Sequence, residues 1–417
     1  MRGFFRCLLG ARWRRVLLLV IGGLVVLLVG FYQVENWRGR VAWEEAVAMV
    51  EAHGETQDWD ELAPEPVPDE DNFGAIPLLK GITEVVDGDE EAGEAGVKRE
   101  RIRGARLEHG RINFRSLGSS AGTGILTDLV RLRSDLSWPA LMEGIGVDVG
   151  DGKIEAATKL LSAIEEQSDG VLEELSEGLE RRESQLSPSV HQVAKGRNKL
   201  AIVLPHVNTM TDLTELLGMR GIAAVQSGDR EAAFESCAIL LKLAEATGGE
   251  GAIGMLTAQT QRSAAVDILW EGLVDQLWEE SDLLWYSEAF GRIDLEEEYL
   301  RSIRLELVAI IESSDWLESQ LVSGLLLWPM LELNGIPERA LRLFPRGWFD
   351  QNRATVVRWT TDYLTQPADS AGIMGVVAIE DKLGKASLRD HARFAPYTWL
   401  AASWVPPMQN MAWQAAI

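Results

Sequence analysis

Cysteine is nearly missing from this chain: Cys7 and Cys237 are the only two in 417 residues. No disulfide framework can be built from them, so a folded body must be held by its core. Cys237, inside "AAFESCAILLKLA", reads as a small buried residue. Histidine is scarce as well. The five present (His53, His109, His191, His206, His391) form no metal-ligand spacing such as H-E-x-x-H, and no metal residues are assigned. Bases are in deficit, 40 against 64 acids, for a net charge of −24. So acidic a chain repels nucleic acid, itself a polyanion, and nucleic-acid binding is excluded. Strand-like alternation is also scarce, which argues against a β or α/β fold.

Charge is absent altogether from nineteen residues, Val16 to Val34, "VLLLVIGGLVVLLVGFYQV". At about 1.5 Å per residue this run matches the hydrocarbon thickness of a bilayer. Five arginines precede it (Arg2, Arg6, Arg12, Arg14, Arg15) with no acid among them, leaving −29 on the rest. By the positive-inside rule the N-terminus faces the cytoplasm and the remainder lies outside it. Phe31, Tyr32 and Trp37 suit the far interface. The competing reading is a cleaved signal peptide, but no small-x-small site follows the run. The expected order is a basic cytoplasmic tail (1–15), a transmembrane helix (16–34), a stalk helix with a proline-rich docking segment (35–86), a flexible charged linker (87–124) and an all-helical extracytoplasmic domain (125–417).

The stalk continues through "ENWRGRVAWEEAVAMVEAHG", with Val34, Trp37, Val41 and Ala48 spaced for one face and Gly54 as its C-cap. Beyond it, "LAPEPVPDEDNFGAIPLL" (62–79) sets three prolines beside a run of acids. Pro64, Pro66 and Pro68 force an extended path. Asp69, Glu70, Asp71 and Asn72 offer oxygen ligands in a row, yet neighbours in sequence cannot all point at one ion. The better reading is a domain start, with Asp71 or Asn72 capping a short helix that carries Ile76, Leu79 and Ile82.

"DGDEEAGEAG" (87–96) reads as a solvated loop, the following "KRERIRGARLEHGR" as a frayed helix or ribbon, and "GSSAGTG" (118–124) as a flexible link. Helical periodicity covers 125–134, 152–167, 170–185, 207–226, 229–246, 252–278 and 294–321, so the fold class is all-α. One hairpin is specific: Gly228 ends a helix, Asp229 caps the next, and Gly228 to Ala233 resembles the turn of a tetratricopeptide repeat. No second copy occurs 34 residues on, which suggests a helical-hairpin bundle or short solenoid.

Together the anchor, "ELAPEPVPDEDNFGAIPLL", "SGDREAAF", "LRSIRLELVAIIES" and "LFPRGWFDQN" resemble a family of membrane-anchored bacterial envelope proteins. The resemblance covers most of the chain. It implies a single-pass topology and an all-helical extracytoplasmic body, but transfers no activity, cofactor or site residue. Family members often continue past a final helix like "PPMQNMAWQAAI", so it also implies a truncated or divergent end at Ile417.

Motifs for catalysis all fail their context. "GSSAG" matches the hydrolase elbow at Ser120, but no α/β alternation comes after it to supply its sheet. "GEGAIG" (249–254) matches a dinucleotide pattern, yet it succeeds one helix and opens another. "VDVGDGKIEAAT" (147–158) imitates a calcium loop, with Val147 and Val149 where ligands belong and Thr158 at the last position; Asp151 reads as a helix cap. Trp270, Trp278 and Trp285 lie seven to eight apart, a core seam or, if exposed, a docking stripe. "LVSGLLLWPMLEL" (321–333) is too short to span. The expectation is a membrane-tethered scaffold that binds an envelope protein or the growing cell wall through helical grooves. It has membrane lipid around 16–34, no small-molecule cofactor and no catalytic or cofactor-binding residues. The alternative is an envelope hydrolase, either a glycan hydrolase with two facing carboxylates or a serine esterase at Ser120.

Overall fold

A computed structural model describes residues 11–84, 94–105, 126–127, 129, 142–143, 146–147, 152–168, 170–189, 192–193, 206–312 and 345–365. Among the described residues the chain is predominantly helical and contains no strand. Expectations placed on Ser120, "GSSAGTG", Asp151, His109, His191, His391 and residues 321–333 lie outside these residues. The chain divides into two compact units, one built on residues up to Gln57 with residues from Leu307 onward, the other on Asp58–Glu306.

In the first unit, α1 runs unbroken over Ala11–Ala52. It is long and apolar enough to cross a membrane, and its side chains from Val16 to Val29 are exposed. Gly54 ends it at φ +74°, as its C-cap spacing predicts. The buried face of the stalk differs from the expected one. Glu35, Gly39, Ala46 and Val50 are buried, whereas Val34 and Trp37 are 53% and 58% exposed. The reason is α10 (Arg346–Thr365), a helix the periodicity did not reveal, which packs along α1. The two cross at Gly39 and Gly347, where an added Cβ on Gly347 would lie 1.9 Å from the Glu35 carbonyl oxygen. Small residues set the line of closest approach, so large apolar spacing pointed to the wrong face. Around the crossing, Trp348 Nε1 donates to Glu35 at 2.9 Å and Arg353 sits 4.1 Å over the Trp43 ring. Burial pushes the Glu35 carboxyl up, but hydrogen bonds from Trp348, Gln351 and Arg38 outweigh it and hold the group below its ordinary range.

The second unit is organised around α5 (His206–Ser227), which has 17 of its 22 residues buried and therefore serves as the central helix. It packs against α2 (Glu94–Gly104), α3 (Lys153–Gln167), α6 (Arg230–Gly248) and α7 (Gly251–Val274). The α5–α6 hairpin matches its sequence reading: Gly228 adopts φ +83° and Asp229 Oδ1 accepts the Ala232 amide at 3.0 Å. Cys237 is fully buried against Ala265, and burial pushes its thiol up to about 12. It packs as a small apolar side chain.

The proline-rich segment delivers Phe73, Ile76, Leu79 and Ile82 into the same core as α5 and α6. Asn72 caps a 3₁₀ turn over Phe73–Ala75 by accepting from Gly74 at 3.0 Å. Within the stretch expected to be linker, α2 is a helix whose Ile102 is buried and whose Arg101 pairs with Glu174. The helix expected over 170–185 is cut to α4 (Val171–Gly178). Glu183, beyond its end, pairs instead with the proline segment: Phe73 N donates to the Glu183 carbonyl at 2.8 Å, and Glu183 N to that of Asp71 at 3.0 Å. A partner about 110 residues away outcompetes local helix, because each buried amide must be satisfied somewhere.

Candidate functional site

The expected helix over 252–278 ends at Val274, and a separate α8 (Glu280–Gly291) succeeds it. Gln276 at φ +55° turns the chain, and the Leu277 amide returns to the Gly272 carbonyl at 2.8 Å. Trp278 then folds back so that its Nε1 donates to the Leu269 carbonyl at 2.9 Å, over Gly272, where a Cβ would lie 2.3 Å from the ring. The three tryptophans therefore do not share one helical face. Trp278 and Trp285 pack against the core, while Trp270 is exposed.

Trp270 belongs to an inverted helix. On α7 the charged residues Arg262, Asp267 and Glu271 are buried, together with Gln259 and Gln261. The outward positions are Ile253, Ser263, Val266, Trp270, Leu273 and Val274, none of them charged. Val266, Trp270, Leu273 and Val274 fall three, four and eight apart and so form one stripe. Arg262 and Glu271 are held by specific partners. Arg262 makes a bidentate pair with Glu298 at 2.6 and 2.7 Å. Glu271 accepts from the Thr127 amide at 2.8 Å and from Gln226 Nε2 at 3.0 Å. The charges of this helix thus face inward and its outward face carries none, the reverse of the ordinary amphipathic arrangement.

A second feature is a cleft of 220 Å³ between α6, α8 and the start of α9 (Leu295–Glu312). Helix α6 contributes Ala238, Leu241, Lys242 and Glu245, and α8 contributes Trp285, Glu288, Ala289 and Arg292. Both sets have the spacing i, i+3, i+4, i+7, so each is one helical face. Arg182, Arg262 and Glu298 complete the charged lining. Helix α8 is held in place by a Glu279–Asp282 capping box and by Arg230, whose Nη1 reaches both Asp282 oxygens at 2.9 and 2.8 Å. Trp285 is braced edge-on by Phe234 at 4.9 Å between centroids. Lys242 donates to the Arg182 carbonyl and lies 3.3 Å from Glu245; Arg292 pairs with Glu288. Burial, only partly offset by Lys242, holds the Glu245 carboxyl above its ordinary range, with Glu183 adding repulsion.

The acids Asp69–Asn72 build no comparable site. Asp69 pairs with Lys80, Arg181 donates to the Asp69 and Asn72 carbonyls, and the Asn72 side chain accepts from Gly74 and Gln185. No group of three or more His, Cys, Asp or Glu positioned for a metal occurs among the described residues. "GEGAIG" is a helix-to-helix turn, with Gly249 ending α6 and Gly251 opening α7 at φ +88°. His53 lies on the surface beside the Met49 carbonyl, and His206 is buried at the start of α5.

Glu306 adds a titrating group at the first turn of α7, accepting the Ala252 amide at 3.4 Å. Burial pushes its carboxyl up to about 7 from an ordinary 4.5. Between those values the folded state retains a proton that the unfolded state gives up, so lowering the pH favours folding. Denaturant midpoints of the wild type should therefore rise, relative to Glu306→Gln, as pH falls from about 7 toward 4.5. Parallel pH profiles for the two proteins would exclude the effect.

The inverted face needed the structure to be found, although its signal was present: four apolar residues at helical spacing, "VDILWEGLV", end a helix whose charges occupy the opposite side. The cleft had a fainter signal, the repeated i, i+3, i+4, i+7 spacing of Ala238–Glu245 and Trp285–Arg292 on two helices. No protein family, curated protein or solved structure matches the chain, which leaves its own residues as the basis for a function.

Proposed function

We propose that this protein is a membrane-tethered helical interaction module of the bacterial envelope. Residues 16–34 of α1 cross the cytoplasmic membrane with the basic N-terminus inside, and the body faces the periplasm or cell exterior. The α5–α6 hairpin, tetratricopeptide-like in its turn, belongs to a bundle that presents α7 to another envelope protein. One observation carries this reading: the inverted α7, whose outward stripe is uncharged in a chain with a net charge of −24. Covering a half-exposed side chain of this size contributes roughly 1 kcal/mol, so a stripe of four supplies the apolar anchor of a larger interface. Tryptophan at its centre suits an interface anchor.

Photocrosslinking residues placed at Val266, Trp270 and Leu273 of the full chain in its membrane should each yield the same discrete protein adduct. The same probe at Glu231 on α6 or Glu288 on α8 should not. Absence of an adduct from all three stripe positions, or identical labelling from the controls, would refute docking through α7.

The hydrolase alternative has one point in its favour, since Glu245, Glu288 and Glu298 line a single cleft. Each of the three is engaged by a cation, Lys242, Arg292 and Arg262 respectively. A carboxylate held in a bidentate arginine pair, as Glu298 is, makes a poor nucleophile or base, because leaving the pair costs it its strongest interaction. Binding suits this cleft better than acid–base chemistry.

A further inference from the structure

We propose that the cleft between α6 and α8 binds a small organic oxyanion, with Arg182, Lys242 and Arg292 meeting a carboxylate or phosphate and Trp285 with Leu241 meeting the apolar body that carries it. Such binding is independent of docking through α7. Four cations and three carboxylates line the cleft, an excess of positive charge inside a strongly acidic chain. Arg182 is exposed and has no ion pair among the described residues. Arg292 pairs with Glu288 one helical turn away, through side chains 74% and 66% exposed, and acts on Glu245 only through space. Surface pairs of this kind contribute about 0–1 kcal/mol, so an incoming oxyanion can take over the arginine at little cost. Glu298, by contrast, is locked to the buried Arg262 and forms a fixed wall.

The apolar half is equally specific. Trp285 is held by Phe234 and Tyr286 at 4.9 and 5.4 Å between centroids, so its ring enters binding already positioned. Leu241 and Ala289 flank it on the same two helical faces. A volume of 220 Å³ equals about seven waters, which suits a single ring with an acidic substituent rather than a larger ligand.

The experiment uses the full chain in detergent micelles, labelled with 5-fluorotryptophan and monitored by fluorine NMR. The Trp285 resonance is assigned by its loss in Trp285→Phe. Titration with phenyl phosphate or benzoate should shift that resonance saturably in at least one series, while phenol and benzylamine leave it in place. Arg182→Ala, which removes an exposed side chain and should fold normally, should weaken the saturating response by about tenfold. No saturable shift with either anion overturns the proposal, as does an equal shift with phenol or an unchanged affinity in Arg182→Ala. Retention of folding in the variant is checked by the other tryptophan resonances, which should superimpose on those of the wild type.

Discussion

Gly347→Ala should detach α10 from the stalk portion of α1. The new methyl would sit 1.9 Å from the Glu35 carbonyl oxygen and 2.7 Å from Asn36 Cα. Both are backbone atoms, so no rotamer change relieves the overlap and the helices must separate. Separation also breaks the hydrogen bonds from Trp348 to Glu35 and from the Gly347 amide to Asn36 Oδ1, each 2.9 Å. We expect a loss of about 3 kcal/mol in the local stability of this pair, at the top of the usual range for an added methyl because backbone meets backbone. Native-state hydrogen exchange should show α10 amides exchanging about a hundredfold faster. Gly30→Ala on α1, where nothing lies within 4 Å, should leave α10 exchange unchanged. Unaltered α10 protection in Gly347→Ala would mean that the glycine crossing does not set this packing.

Glu271→Ala should be the most damaging single change in the second unit. Glu271 is fully buried and accepts from Thr127 N and Gln226 Nε2, while that same amide group also donates to the Thr127 carbonyl at 2.7 Å. Removing the carboxyl leaves buried donors without an acceptor and opens a cavity, at a cost of about 3–5 kcal/mol. Glu271→Gln keeps the volume and one acceptor oxygen, and should cost roughly half as much. In the double variant Glu271→Leu/Gln226→Leu, one orphaned donor disappears with its acceptor. It should therefore be more stable than the sum of the two single changes implies. Urea unfolding monitored by circular dichroism at about 222 nm gives all three comparisons. A Glu271→Ala midpoint within error of wild type would remove the network from the account of what holds α5 and α7 together.

Both changes concern residues that hydropathy ranks as unremarkable, whereas the helices themselves follow from local sequence. The apolar run of α1, the Gly54 stop, the Gly228–Asp229 turn and the helical periods of α3, α5 and α6 depend on near neighbours. Their physics is local: desolvated peptide groups must close hydrogen bonds within the helix, and caps supply what the ends lack. Composition and spacing were sufficient for the predominantly helical character of the described residues.

Packing partners were decided elsewhere. The stalk buries Glu35 and Gly39 rather than Val34 and Trp37 because α10 approaches where side chains are absent. The chain beyond Gly178 leaves helical geometry where Glu183 finds distant backbone partners in Asp71 and Phe73 and Ser187 finds one in Gly81. Helix α7 turns Arg262 and Glu271 inward because Glu298, Gln226 and Thr127 await them, and its apolar stripe is exposed in consequence. The cleft exists only in the tertiary structure, where the Arg230–Asp282 pair and the packing of Trp285 and Tyr286 on Phe234 set α8 beside α6. Local sequence determined the helices and their ends; the tertiary structure decided their faces, because a buried charge or a missing Cβ acquires its meaning only from the partner it meets.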